Sequence, residues 1–336
     1  MKDKVFKEIK SKTRGLYDFF RGRISPSTGI TSEQKDYNQV TETIWDNSTE
    51  QYRKDDFKIY WELLAAVEKY QMKYMTGDEN LHYFSNAFNY VKENVGDRNL
   101  KGLFLGCMEG NPGPEMTLME TGCFSKIEVM DIAEGLLKKQ RILASERGVK
   151  GIEYIKQNFN KFILEKKEYD VIWGIGTIHH IENLEHLFNQ VQNALKDKGV
   201  FILREYIGPN RFQFSELQLS IINDILSILP DKYKIQVDGK LKRIVERPNV
   251  IELIKHDPTE SVRSEDIIPL MKEKFEIIKL VYTGGTILHP LLSYIASNFE
   301  GDQEAETTLK LLILLEKNLV DNKVLPSDYV FCIAKK

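Results

Sequence analysis

Between residues 100 and 205 five short apolar runs (100–105, 127–131, 152–156, 170–174 and 199–205) alternate with segments of helical periodicity. The helical segments fall near 112–121, at 133–147 ending on Gly148, and at 183–196; a polar turn and a short helix come after 156. An apolar run too short for a helix, then an amphipathic helix, then another run, is the pattern of βαβ units. Repeated, it predicts an α/β fold: a parallel, doubly wound sheet with helices on both faces and ligands at the carboxyl ends of the strands.

The flanks depart from this alternation. Residues 25–97 read as a helical N-terminal extension. Tyr60, Leu63, Leu64, Val67 and Tyr70 share one helical face; Leu81, Phe84, Phe88 and Val91 share another, with a break at Thr76-Gly77-Asp78. After 205 the expectation is a helix over 211–229 stopped by Pro230, an irregular charged stretch 231–262, and a helix near 264–273. Strand 275–282, helices at 288–299 and 303–322, and a last strand 328–334 complete the chain. Seven strands thus belong to one main domain, 98–336, with helical cap insertions at about 206–272 and 286–323.

Residues 1–24 carry eight basic residues and three acids, interleaved with Val5, Phe6, Ile9, Leu16, Tyr17, Phe19 and Phe20. Such a segment suits either peripheral contact with an anionic membrane surface or packing against its own domain or a partner. The net charge of −3 gives no case for nucleic-acid binding. Three cysteines without a C-x-x-C pair suit a reducing cytoplasm, with peripheral placement at the inner membrane face as the variant that residues 1–24 allow.

The first apolar run ends in a glycine-punctuated turn, Gly106-Cys107-Met108-Glu109-Gly110, and the second ends in an acid, Asp131. Glycines there let backbone approach a ligand, and a carboxylate at the end of the second strand accepts hydrogen bonds from ribose hydroxyls. Asp131 equally suits a cap on the helix starting at 133. Asn158 comes just after the third strand, where an amide either reads an adenine edge or closes a turn. Past the fourth strand comes Trp173-Gly174-Ile175-Gly176-Thr177-Ile178-His179-His180. Gly174 gives backbone access to the crevice, and Trp173 suits either stacking or core. Either histidine has the chemistry of a base. As sequence neighbours the two are expected to point apart. No metal is expected, because no further Cys or His lies nearby.

These residues, with "HHIENLEHLFNQVQNALKDKGVFIL" (179–203), resemble a class I S-adenosylmethionine-dependent methyltransferase, whose fold is Rossmann-like with seven strands. A narrower likeness, carried by "REYIGPNRFQF" (204–214), "DPTESVRS" (257–264) and "YTGGTILHPLL" (282–292), is to a bacterial group associated with glycan and secondary-metabolite gene clusters. Met108 stands where that group usually has glycine. The resemblance implies S-adenosylmethionine as cofactor, held by Gly106, Cys107, Met108, Gly110, Asp131, Ile132, Asn158, Phe159 and Gly174. It implies a base among His179, His180 and Glu205, with Arg204, Arg211 or Arg263 as alternative partners that would make Glu205 structural. Tyr206, Arg211, Arg263 and His289 are the expected acceptor contacts; the arginines suit an anionic group or a salt-bridge network with Glu205, Asp257 and Glu260. Gly284-Gly285 reads as a tight turn. The expected activity is O-methylation of a sugar, glycan or glycolipid precursor in polysaccharide biosynthesis. A non-catalytic member of the fold and a nicotinamide-dependent oxidoreductase are the alternatives.

Overall fold

The five apolar runs are all strands of one sheet. The computed structural model describes residues 60–336, so the expectations for residues 1–24 and for 25–59 lie outside the described residues. Seven strands are β1 (Leu100–Leu105), β2 (Phe124–Asp131), β3 (Ile152–Lys156), β4 (Tyr169–Ile175), β5 (Leu195–Tyr206), β6 (Glu276–Gly284) and β7 (Tyr329–Lys335). Their order is β3-β2-β1-β4-β5-β7-β6. β1 to β5 are parallel, while β7 runs antiparallel to both β5 and β6. The order reverses between β1 and β4, so the crevice for a ligand opens at their carboxyl ends.

The helices are α1 (Ala65–Thr76), α2 (Tyr83–Asn94), α3 (Pro114–Glu120), α4 (Glu134–Glu146), α5 (Leu184–Ala194), α6 (Glu216–Ile228), α7 (Val250–His256), α8 (Ile267–Lys274), α9 (Leu288–Leu292) and α10 (Gln303–Asp321). Alternation along each strand divides the core. Leu100 and Phe104 face a cluster with Phe84 and Phe88 of α2 and Leu137 of α4. Leu103 and Leu105 face the opposite one, with Leu187 and Phe188 of α5 and Met271 of α8. A third cluster joins Trp61 and Leu64 to α6, α9 and α10. It binds Trp61, Leu64 and Val67 to both cap segments beside the carboxyl edge of β5.

Several boundaries differ from expectation for local reasons. The helix expected from 211 starts at 216. Arg211 and Phe212 sit at φ 55° and 54°, outside helical geometry, and Ser215 caps the start by accepting the Gln218 N–H. The face from Tyr60 to Tyr70 is broken because Trp61–Leu63 is a 3-10 turn and Leu64 is extended; α1 then ends as expected at Gly77, φ 86°. The 231–262 stretch contains α7, capped by Asn249. The helix expected over 288–299 is split, with Tyr294 at φ 67° between α9 and a 3-10 turn at Ala296–Phe299. Only a turn succeeds β3. No helix among the described residues is long and apolar enough to cross a membrane.

Candidate active site

The turn after β1 is built for close approach. Gly106 has φ +99°, and a Cβ there would lie 2.0 Å from Thr177 Oγ1, in the turn after β4. Asp131 fixes the neighbouring edge: Oδ2 accepts the Cys107 N–H at 2.7 Å, and Oδ1 accepts the Ala133 N–H at 2.8 Å. It therefore ties the ends of β1 and β2 together as well as the start toward α4. The Cys107 thiol is buried, which together with Glu115 and Asp131 pushes its pKa well up, so no thiolate is available there. Met108 is buried in the cluster under α2 and α4, and Ile132 packs on that cluster. The Gly110 N–H and C=O pair with the Gln140 side-chain amide of α4 at 3.2 and 3.1 Å. Asn158 Oδ1 accepts the Asn160 N–H at 2.9 Å, closing a turn, and Phe159 packs edge-on against Phe162. The room left by Gly174 is used by Ile178, whose side chain would lie 3.0 Å from a Cβ. Trp173 is core: it is 1% exposed and stacks on Phe104 at 4.7 Å.

His179 and His180 do not point apart. They lie in a 3-10 turn, Ile178–His180, where successive side chains diverge by about a third of a turn rather than half. Their ring centroids are 4.1 Å apart and both rings are buried. Glu205, at the end of β5, is held by neither Arg204, Arg211 nor Arg263. Its Oε2 accepts the Thr177 and Ile178 N–H groups at 2.8 and 2.6 Å, and its Oε1 accepts the Tyr206 N–H at 2.9 Å and meets His179 Nδ1. A carboxylate can only accept, so Nδ1 of His179 carries the proton and Nε2 the lone pair.

His179 opens onto a cavity of about 770 Å³. Trp61, Tyr206, Phe212, Phe214, His289 and Tyr329 give it aromatic walls, and Asp257 and Glu260 join His179 at its polar end. Tyr206 and His289 both line this cavity. Burial, with Lys242 and His179 adding, pulls the His289 pKa down to about 3, so its ring is neutral; its Nδ1 meets Tyr329 OH at 3.2 Å. The two arginines are elsewhere. Arg211 donates to the Glu260 and Pro258 carbonyls, both at 2.8 Å, clamping the loop that carries the acids. Arg263 forks onto Glu185 at 2.7 and 2.8 Å and reaches Asp266 at 2.8 Å. Neither lines the cavity, because nearby carbonyls and carboxylates satisfy each guanidinium first. Arg204 pairs with Glu62 at 2.5 Å and Gln71 at 3.1 Å, fastening the Trp61–Leu63 turn and α1 to β5.

Residues 97–234 match the family model described as a methyltransferase domain. The cofactor of such a domain is S-adenosylmethionine. The chain is 23% identical over 132 residues to a sterol 24-C-methyltransferase of Gibberella zeae, covering 39% of this chain and 34% of that one. It is 27% identical over 125 residues to malonyl-[acyl-carrier protein] O-methyltransferase 2 of Ilyobacter polytropus, covering 33% and 46%. The chain thus spans between a third and a half of these curated relatives. Geranyl diphosphate C-methyltransferase from Streptomyces coelicolor A3(2) aligns over 91% of this chain and 99% of its own, at 15% identity and a TM-score of 0.48.

Several residues beside the cavity and the last glycine turn were not legible as site residues. Lys242 Nζ donates to the carbonyls of Pro290, Leu291 and Ser293 at 2.7 to 3.0 Å, closing the end of α9 beside the cavity. Burial lowers its pKa to about 7, against which the three carbonyls favour the ammonium. Glu316 accepts the Gly285, Ile287 and Leu288 N–H groups at 2.7 to 2.8 Å. The Gly284-Gly285 turn therefore carries its own internal anion. Only the pairing of a lone acid with a glycine turn hints at this in the sequence, and 31 residues separate them.

Proposed function

We propose that this protein transfers the methyl group of S-adenosylmethionine to a nucleophile on an acceptor held in the aromatic cavity. The carrying observation is a distance in sequence and space. Thr177 abuts Gly106 of the cofactor turn, and His179, two residues on, lines the cavity. A single residue, Ile178, therefore separates the two halves of a methyl-transfer reaction. The cofactor supplies an electrophilic methyl carbon on a sulfonium. We assign the ribose hydroxyls to Asp131, whose carboxylate oxygens can accept further hydrogen bonds beside those from the Cys107 and Ala133 N–H groups, and the closest backbone approach to Gly106. Gly110 is committed to Gln140 and Asn158 Oδ1 to its turn, so neither is assigned a main role.

His179 presents the Nε2 lone pair to the acceptor and is the base; Glu205 is a positioning residue. Direct proton acceptance by such a group contributes about 10²–10⁴-fold. The cavity's walls suit an acceptor with a broad apolar or ring face and one nucleophilic oxygen at the His179 end. Among sugar, glycan and glycolipid acceptors this favours the glycolipid, and residues 1–24 would then serve to keep the enzyme at a lipid surface.

Calorimetric titration of S-adenosylhomocysteine into the wild-type chain and Asp131→Ala tests the cofactor reading. Saturable heat with wild type, and a loss of about tenfold or more in the variant, is expected; no heat with wild type defeats it. Transfer of labelled methyl from S-adenosylmethionine to a lipid extract, but not to water-soluble glycans, is the expected acceptor result. Cofactor binding with transfer to neither leaves a non-catalytic member of the fold.

A further inference from the structure

The polar end of the cavity holds a ligand set that chain order does not reveal. One ligating atom from each of His179, His180 and Glu260 lies within 4.8 Å of the others, and all three side chains are buried. Two come from the turn after β4 and the third from the loop after α7. Hydrogen bonds fix the form of both rings. Nδ1 of His179 gives its proton to Glu205. The Thr259 hydroxyl donates to Asp257 Oδ1 at 2.6 Å, so its oxygen accepts from His180 Nδ1 at 3.1 Å. Both imidazoles therefore carry their lone pair on Nε2.

The geometry between them is that of ligands, not of a hydrogen bond. Nε2 of His179 lies 3.5 Å from Oε1 of Glu260. An imidazolium paired with that carboxylate would draw it to about 2.8 Å. Two ligands each about 2.1 Å from a tetrahedral ion stand about 3.4 Å apart, and a trans pair about 4.2 Å apart.

We propose that His179, His180 and Glu260 bind one divalent first-row transition ion, of which zinc is the reference case, with its open positions toward the acceptor cavity. Two imidazoles and one carboxylate are a donor set of catalytic sites that keep positions for substrate; all-oxygen sets suit magnesium and calcium instead. Glu205 behind His179, and Thr259 with Asp257 behind His180, are the outer partners such histidines use to hold tautomer and orientation. Arg211 holds the loop that delivers Glu260, through that residue's own carbonyl.

The consequence for chemistry rests on the methyl-transfer reading; the binding does not. An acceptor hydroxyl bound to the ion loses its proton to water more readily. The oxygen's electron pair then forms the new bond to the methyl carbon as the carbon–sulfur bond breaks, and that pair stays on sulfur. With the ion in place, Nε2 of His179 ligates and the ion does the acidifying that direct proton transfer would otherwise do.

The test uses the untagged full chain, treated with chelator and desalted. Cobalt(II) is titrated while visible d–d absorption is monitored, and zinc is then added in competition. One equivalent of cobalt, displaced by one of zinc, is the expected result. His180→Asn and Glu260→Gln should each weaken binding by about 10–100-fold. His186→Gln, whose ring instead meets the Phe162 carbonyl at 2.7 Å, should not. S-adenosylhomocysteine titrated into every variant reports that the fold and cofactor turn are intact. No saturable cobalt binding, or binding indifferent to both ligand substitutions, overturns the site. Cofactor binding without metal binding fails this proposal alone; metal binding without cofactor binding fails the methyltransferase reading and leaves the site standing.

Discussion

Glu205→Gln keeps size and shape but changes one acceptor into a donor, and the hydrogen bonds around that side chain set the consequences. The carboxylate accepts three backbone N–H groups, from Thr177, Ile178 and Tyr206, and meets His179 Nδ1. A glutamine has one oxygen for these. If the amide nitrogen takes the Oε2 place, it faces the Thr177 and Ile178 N–H groups and orphans both. If it takes the Oε1 place, it orphans only the Tyr206 N–H, and it forces His179 to accept on Nδ1. The second orientation costs less. One buried orphaned N–H amounts to about 1–3 kcal/mol. A domain of this size loses about 2–4 °C in Tm per kcal/mol, so a fall of several degrees is expected.

The functional effect should exceed that stability loss. Once Nδ1 accepts, the proton of neutral His179 moves to Nε2, the atom facing Glu260 and the cavity. Nε2 then neither accepts a proton from an acceptor nor ligates an ion. We expect kcat/KM to fall by about 10²–10⁴ and metal affinity by about 10–100-fold, while S-adenosylhomocysteine affinity stays within a few-fold. Nitrogen chemical shifts of the labelled imidazole read the tautomer directly, and thermal unfolding reads the stability. Glu205→Gln with wild-type turnover, or with Nδ1 of His179 still protonated, would refute the assignment of Glu205 as the group that sets His179.

Gly106→Ala should abolish S-adenosylhomocysteine binding in calorimetry, since φ is +99° and the added Cβ would sit 2.0 Å from Thr177 Oγ1; retained affinity would remove the turn from the cofactor site. Arg211→Met should raise the acceptor KM and weaken cobalt binding with cofactor affinity unchanged, because both guanidinium bonds hold the 258–260 backbone. Asp328 is raised by burial from 3.8 to about 7, so it holds its proton in the folded state while the unfolded chain loses it. Stability therefore falls as pH rises from about 4 to 7, and Asp328→Asn should be more stable than wild type at pH 8, by up to about 4 kcal/mol in denaturant unfolding. His289 has the opposite slope: lowered from 6.5 to about 3, it leaves stability intact above about 6.5 and removes it as pH falls toward 3. His289→Gln should flatten that acid limb by up to one proton, measured as unfolding free energy against pH.

What was legible in the sequence is what short-range physics decides. The strands arise from apolar runs, and the break after α1 from one glycine. The pairing of Gly106 with Asp131 is readable because consecutive parallel strands must end on the same edge. What was not legible depends on contacts across long stretches of chain. Glu260 reaches the histidines from some eighty residues away, and nothing near His179 announces it. Sequence adjacency alone predicts that His179 and His180 diverge; a 3-10 turn brings both rings to one side. Charge alone leaves Arg211 and Arg263 equally suited to an anionic acceptor and to a salt-bridge network with Glu205, Asp257 and Glu260; in the fold, backbone carbonyls take Arg211 and Glu185 takes Arg263.

One local anomaly did mark the site. Arg211 and Phe212 are consecutive non-glycine residues at φ 55° and 54°, a conformation costing roughly 1–2 kcal/mol per residue. A helix-forming pattern runs through them, yet the helix waits until Glu216. The bend turns Phe212 into the cavity wall and aims the Arg211 guanidinium at the carbonyls of Pro258 and Glu260. Two charge-assisted hydrogen bonds, each about 1.5–3 kcal/mol, offset the strain. The same bend sets where Glu260 stands relative to His179, so the residues that defy the helical pattern are those that position the acid.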